Sequence, residues 1–430
     1  MKYTVTEYTT AGGAKGLIAS VLGSTVVQSS INFRAGYKYV DDYQHKYETA
    51  HLLEHMLYAT SKRYPGPREL DYQMTRNGGY SNAFTSEDAI TYVTMGPDFD
   101  WERMTGISIN TIEAPNLTDE YFKLEKNIVR TELNDYLSDP SRVLVPLMQQ
   151  RAGIRTMAYE DRLKIIDNVT LEDIKKHYQK THTLANMRFI VAGDFSDPAR
   201  LAKLKDKLDQ IKLPAGEKRT EILSEVPHPI EPTLVVRNES PSIIFRFTLT
   251  VPRQLNPEER IVMGLLDGTL NGAGKSLIYG QARENGLVYD CWSGASTSKY
   301  YSMWRFGGSA TTENLPKFFG LAIDELLKLK HGELSSEVFE STRTRYLGRL
   351  RMGLQTTYDL VDYLADDYFY DDKIMDYATQ EKLTSSVEKD AAIELAKEFL
   401  NEKNLSLGLY GKTDETMLNL INAKLQKLFS

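Results

Sequence analysis

Apolar positions along the chain recur in two rhythms, strict alternation and the helical three-to-four spacing, and the switches between them mark out elements. Residues 25–33 read as a strand closed by Ala35-Gly36, and a helix is expected over 47–59. Past the Pro65-Gly66-Pro67 break, residues 68–76 read as a helix that stops at Gly78-Gly79. The run 80–95, rich in Thr, Tyr, Val and Ile, reads as strand. Two helices follow, 101–112 and 118–137, the second opened by Thr118 with Asp119 and Glu120 in its first turn. Thr170-Leu171-Glu172-Asp173 has the form of an N-cap before a helix, and 187–192 is a strand ending at Gly193-Asp194.

The stretch 213–232, LPAGEKRTEILSEVPHPIEP, is proline-bearing, charged and aperiodic, and reads as a linker. Beyond it the pattern restarts, with strands at 234–236 and 243–251 and a helix at 258–270. TLEDIKKHYQKTHTLANMRFIVAGDF in the first half is echoed by SVEKDAAIELAKEFLNEKNLSLGLYGKT near the end, each a capped helix, a strand and a glycine. DEYFKLEKNIVRTEL is likewise echoed by SEVFESTRTRYLGRL. Two copies at half-chain spacing suggest duplicated domains, since solenoids repeat at shorter periods. A chain of 430 residues also exceeds what one core usually supports. The expected division is a domain over 1–212, a linker over 213–232 and a second domain over 233–430.

Composition narrows the class. Hydrophobic residues at 41% and charged residues at 26% suit a folded water-soluble chain. A net charge of −7 argues against a nucleic-acid footprint, which needs a concentrated basic face. The single cysteine, Cys291, forms no internal disulfide and no thiolate zinc site, and is expected to be a small half-buried side chain. The opening MKYTVTEYTTAGGAKG has no apolar signal core, and no run reaches the ~18 apolar residues of a membrane span, so a cytoplasmic protein is expected.

The chemistry concentrates in His51-Leu52-Leu53-Glu54-His55. On a helix, His51, Glu54, His55 and Tyr58 share one stripe, so two imidazoles converge, while Leu52, Leu53, Met56 and Leu57 fix the helix to a core. Paired imidazoles suit zinc, and Glu54 is placed as a general base beside it. With seven histidines in the chain, H-x-x-E-H arises by chance roughly 0.01 times, so the motif outweighs the alternative of two surface histidines near an acid. A third ligand must come from elsewhere. Glu125 and Glu132 stand seven apart on the stripe that carries Ile128 and Val129, and a carboxylate on a buried face needs a cation or a metal. An ordinary surface glutamate is the alternative for Glu132.

These residues resemble the pitrilysin or inverzincin group, family M16, of zinc peptidases, over nearly the whole chain, in the two-domain form of bacterial proteins similar to mitochondrial processing peptidase. The resemblance implies one Zn(2+) per chain on His51, His55 and Glu132, with Glu125 in support. It makes Glu54 the base and matches Asn82 and Ala83, in GGYSNAFTSEDAITYV, to a substrate-pairing edge strand that reads the peptide backbone. QARENGLVYD is similar to the family's substrate-contacting Arg and Tyr, which points to Arg283 and Tyr289, at an interval one residue shorter than the usual form. Tyr289 would stabilise the oxyanion.

The implied fold is α+β: two homologous domains, each a mixed, largely antiparallel sheet packed on helices. The second domain has no metal site, because the positions aligned with Glu125 and Glu132 are Thr342 and Arg349 and the helix after Pro257 has no histidine. The implied activity is a zinc endopeptidase acting on short or unfolded peptides inside a closed chamber, without nucleic-acid partners or a membrane span. A homodimer is expected, since motif and Arg/Tyr pair share one chain; a heterodimer with a related subunit is the alternative. The rival function is a non-catalytic scaffold subunit of the same fold, which the complete set of ligands and base opposes. A peptide-binding module with a structural zinc is disfavoured, because structural sites usually have four protein ligands and often cysteine.

Overall fold

The computed structural model describes residues 1–230, 233–272 and 274–429, so the last two linker positions, Glu231 and Pro232, lie outside the described residues. Contacts divide the chain into two units. The first comprises Met1–Tyr136, Arg155–Leu223 and Gly353–Ile374, and the second Leu137–Ile154, Ser224–Met352 and Met375–Ser430.

In the first unit, β1 (Tyr3–Thr9), β2 (Lys15–Val21), β3 (Val26–Phe33), β4 (Tyr80–Thr85), β5 (Ile90–Pro97) and β6 (Met187–Gly193) form one sheet in the order β1-β2-β6-β3-β5-β4. Only β2 and β6 run parallel. Strand β6 is buried along its whole length, which is why its sequence is nearly unbroken apolar residues instead of alternating. One face of the sheet packs on Leu52, Leu53, Met56 and Leu57 of the helix Thr49–Ala59, all fully buried. On the other face, Leu17, Ala19 and Ile190 meet Leu360, Val361 and Leu364 of the helix Thr357–Asp371.

The second unit contains β7 (Leu234–Arg237), β8 (Ser242–Val251), β9 (Cys291–Thr297), β10 (Ser302–Thr311) and β11 (Leu405–Gly411), ordered β7-β11-β8-β10-β9. Again only one pair, β7 and β11, is parallel. Without β1, the first sheet repeats this order and this placement of the parallel pair. The duplication read from the sequence is therefore a duplication of topology. The helices that follow the paired long helices Asp119–Leu137 and Ser336–Gly353 are exchanged: Pro140–Arg151 covers β11 and β8, while Thr357–Asp371 covers β6 and β3.

Several expectations need correction. The helix expected over 47–59 begins at Thr49, behind a separate turn at Tyr43–Lys46. The strand expected over 80–95 is a hairpin, because the polar Ser86-Glu87-Asp88 folds back with Ser86 N–H donating to the Ala89 carbonyl at 2.8 Å. Thr170 and Asp173 form a reciprocal capping box, but its counterpart at Glu388 makes no side-chain cap. Ile128 does not share the buried stripe of Val129; it is exposed, whereas Glu125 is buried. Cys291 is buried, not half-buried, in the second core. Among the described residues no helix is long and apolar enough to cross a membrane.

Candidate metal centre

The helix Thr49–Ala59 is pinned to its sheet by four apolar side chains, so its opposite stripe points His51, Glu54 and His55 toward the helix Asp119–Leu137. Glu132 Oε2 lies 3.5 Å from His51 Nε2 and 3.4 Å from His55 Nε2. One ligand atom from each of the three residues falls within 4.8 Å of the others. A tetrahedral zinc with bonds of about 2.0–2.1 Å sets ligand atoms roughly 3.3–3.4 Å apart, so this donor set fits the metal.

Each imidazole is oriented through its second nitrogen. His51 Nδ1 meets Glu48 Oε2 at 3.0 Å, and His55 Nδ1 meets Glu125 Oε2 at 3.1 Å. Such carboxylate–histidine pairs fix the tautomer that leaves Nε2 for a metal. Glu48 is in turn held by Arg162, which also donates to the Tyr37 hydroxyl at 2.9 Å. Tyr136 donates to the other oxygen of Glu132. Sequence reasoning missed Glu48, Arg162 and Tyr136. Glu48, three residues before His51, was recoverable from helical spacing. Arg162, more than a hundred residues away, left no local signal.

Burial disfavours the charged imidazoles of His51 and His55, but hydrogen bonds to Glu132 with Glu48, and to Glu125 with Glu132, outweigh it and raise both pKa values, that of His55 to about 10. Burial likewise works to raise the Glu132 carboxyl, and the two imidazoles hold it well below the carboxylate range. Glu54 differs. Burial pushes its carboxyl up, and its hydrogen bond from Thr85 Oγ1 on β4 is long, at 3.4 Å. The site thus contains two basic nitrogens, one firmly ionised oxygen and one carboxyl biased toward holding a proton.

Asn82 and Ala83 lie mid-way along β4, which ends the sheet. The Asn82 side chain accepts from Ala83 N–H at 3.0 Å, and Tyr58, at the far end of the motif helix, donates to the Ser81 carbonyl at 3.0 Å. Edge strand and motif helix are therefore tied at both Ser81 and Thr85. Arg283 and Tyr289 belong to the second unit. They engage each other: Arg283 Nη1 donates to the Tyr289 carbonyl at 2.9 Å and its guanidinium lies 5.3 Å from the ring centre, while Tyr289 as a residue is 83% exposed.

Sequence profiles match in tandem: one described as "Insulinase (Peptidase family M16)" over residues 27–162, and one described as "Peptidase M16 inactive domain" over residues 168–346. The chain belongs to peptidase family M16. Among relatives, the protein named "Uncharacterized zinc protease YmxG" of Bacillus subtilis (strain 168) is 23% identical over 317 residues, 72% of this chain and 75% of that protein. The mitochondrial-processing peptidase subunit alpha of Rattus norvegicus is 24% identical over 146 residues, 32% of this chain and 28% of that subunit. A crystal structure of a protease from Helicobacter pylori shares the fold, with TM-score 0.84 and 18% identity over 95% of this chain and 100% of that one. The M16 profile described as "Insulinase" spans the candidate centre, and the one described as "inactive domain" spans Arg283 and Tyr289.

Proposed function

We propose that the chain is a zinc endopeptidase for short or unfolded peptides, with one zinc on His51, His55 and Glu132. The observation that carries this is the convergence of three ligand atoms whose imidazoles are each oriented by a separate buried carboxylate. Metal-ligating histidines almost always donate their second ring N–H to such a partner, so this layer marks both imidazoles as ligands. When bound, zinc supplies Lewis acidity toward water and a carbonyl oxygen.

The remaining roles fall to the chain's own groups. Glu54 takes a proton from water and returns it to the leaving amine, a task suited to a carboxyl whose affinity for protons is raised by burial. The free edge of β4 at Asn82 and Ala83 receives substrate as an added strand, which reads backbone more than side chains. Arg283 and Tyr289 contact substrate, with the exposed Tyr289 as the oxyanion donor. Two chains enclose the reaction. A homodimer is favoured because one chain carries both the motif and the Arg/Tyr pair, although the rat relative is named as a subunit.

Glu54→Gln should bind zinc as the parent does and lose nearly all peptide hydrolysis; wild-type turnover would remove Glu54 as the base. Zinc content measured by elemental analysis should fall in Glu132→Ala, and an unchanged content would remove Glu132 from the ligand set. Mass by light scattering with activity of the purified chain alone tests the homodimer.

A further inference from the structure

Across the second sheet, Arg246 on β8, Gly307 on β10 and Trp292 on β9 stand in one row. A Cβ at Gly307 would lie 2.5 Å from Arg246 Nη1 and 2.6 Å from the Trp292 ring, so only glycine lets guanidinium and indole close over it. They do so with 4.3 Å between the guanidinium carbon and the ring centre. Arg305, two residues before Gly307, points to the same face. Its place is diagonal to Arg246, a separation of about 7–8 Å in antiparallel sheets.

Both arginines line a cavity of about 230 Å³ that lies wholly within the second unit. Val145 and Met148 of the helix Pro140–Arg151 give its other side apolar surface beside Gln149, and Met303, two residues before Arg305, adds more on the strand side. Thr248, Thr250 and Ser406 add hydroxyls, and no acidic side chain is among the described residues that line it. Arg246 Nε is buried without a hydrogen-bond partner among the described residues. Burial, with Arg305 nearby, lowers the Arg246 pKa. A half-buried guanidinium whose Nε lacks an acceptor carries a desolvation cost, and the like charge of the exposed Arg305 on the diagonal adds to it. An anion in the cavity relieves both.

The volume is below that of pockets for drug-sized ligands, about 300–1,000 Å³, and suits roughly one amino-acid residue. We propose that this cavity binds a carboxylate on a short apolar body, the free C-terminal residue of a peptide, with Arg246 and Arg305 on the carboxylate and Met148 and Met303 on its side chain. The assignment rests on the peptidase reading only in taking the ligand to be a peptide end; the carboxylate site stands on the cavity itself.

The test is calorimetric titration of the full chain, chelator-stripped and again zinc-loaded, with N-acetylleucine, N-acetylleucinamide and N-acetylaspartate amidated at its α-carboxyl. N-acetylleucine should bind at least tenfold more tightly than its amide, equally with and without zinc, and at least tenfold more weakly to Arg246→Met. Tighter binding of the aspartate derivative supports the carboxylate site and moves its source to an acidic side chain. Equal affinity for acid and amide in the wild type overturns the proposal, as does undiminished affinity in Arg246→Met. Should that variant fold poorly, the wild-type acid-to-amide ratio and its weakening by salt decide. Absent hydrolysis with intact binding would sink the peptidase reading alone, and absent binding with intact hydrolysis would sink this one alone.

Discussion

Replacing Arg162 by Met tests whether the orientation of His51 depends on a charge supplied from a distant segment. Glu48 is fully buried and accepts from both Arg162 and His51, while the Arg162 guanidinium lies 4.8 Å from the Tyr37 ring centre and 5.2 Å from that of Tyr47. Methionine keeps much of the apolar stem but leaves the carboxylate uncompensated. Breaking one half of a buried pair costs about 3–5 kcal/mol. The carboxyl gives a second measure: burial works to raise it, yet Arg162 and the His51 bond outweigh burial and hold it at about 2 against an ordinary 4.5. That depression is worth about 3 kcal/mol, present above the unfolded pKa and lost as pH falls through the folded one. Hydrogen exchange on peptides from Thr49–Ala59 should therefore report a local stability lower by about 3 kcal/mol at pH 7. Zinc affinity should fall about 10–100-fold as His51 loses its fixed tautomer. The double variant Glu48→Gln/Arg162→Met should cost clearly less than the two single costs added, because neither charge is left alone. A loss under 1 kcal/mol in Arg162→Met, or simple additivity, would refute the reasoning.

Burial lowers the His177 pKa to about 4, and its Nε2 donates to the Ala35 carbonyl at 2.7 Å. The unfolded chain therefore binds a proton between about pH 6.5 and 4 that the folded chain refuses, and about 3 kcal/mol is lost as pH falls through that window; His177→Gln should flatten the slope of stability against pH, and an unaltered slope would count against it. Glu125→Gln should weaken zinc about 10–100-fold through His55, and metal-competition titration giving wild-type affinity would rule out the orienting role. Gly268→Ala places a Cβ 2.7 Å from Thr342 Cγ2 and should destabilise by about 1–3 kcal/mol, whereas Gly348→Ala, with open space around it in the same helix pair, should stabilise by about 0.5–1 kcal/mol; thermal unfolding of both would expose a reversed order.

The first copy of the site was legible because a helix writes its geometry into sequence: spacings of three and four brought His51, Glu54 and His55 together, and a seven-residue step brought Glu125 and Glu132 to one side. What sits on other elements was less so. Arg162 reaches Glu48 only through the fold, and nothing near it in sequence announces a partner. The hairpin at Ser86–Ala89 was hidden because both of its strands are β-prone, so composition alone ran them together. The exchanged helices Pro140–Arg151 and Thr357–Asp371 escaped for a related reason: their apolar faces answer to sheets in the other half of the chain, and local pattern does not say which sheet a helix will cover.

That the described residues gather a candidate ligand set in only one copy follows from what fills the space between the equivalent helices, and not merely from missing ligands. In the first unit, the space between Thr49–Ala59 and Asp119–Leu137 is filled by His51, His55, Glu125 and Glu132. In the second, Pro257–Asn271 presents glycines to Ser336–Gly353. A Cβ at Gly264 would lie 2.9 Å from the Tyr346 ring, and Arg345 spans the gap to donate to the Gly268 carbonyl at 2.7 Å. Glycine here leaves room for side chains of the facing helix, and Tyr346 and Arg345 fill the space between the two. The second copy thus fills with Tyr346 and Arg345 the space between helices that the first copy gives to the candidate ligands.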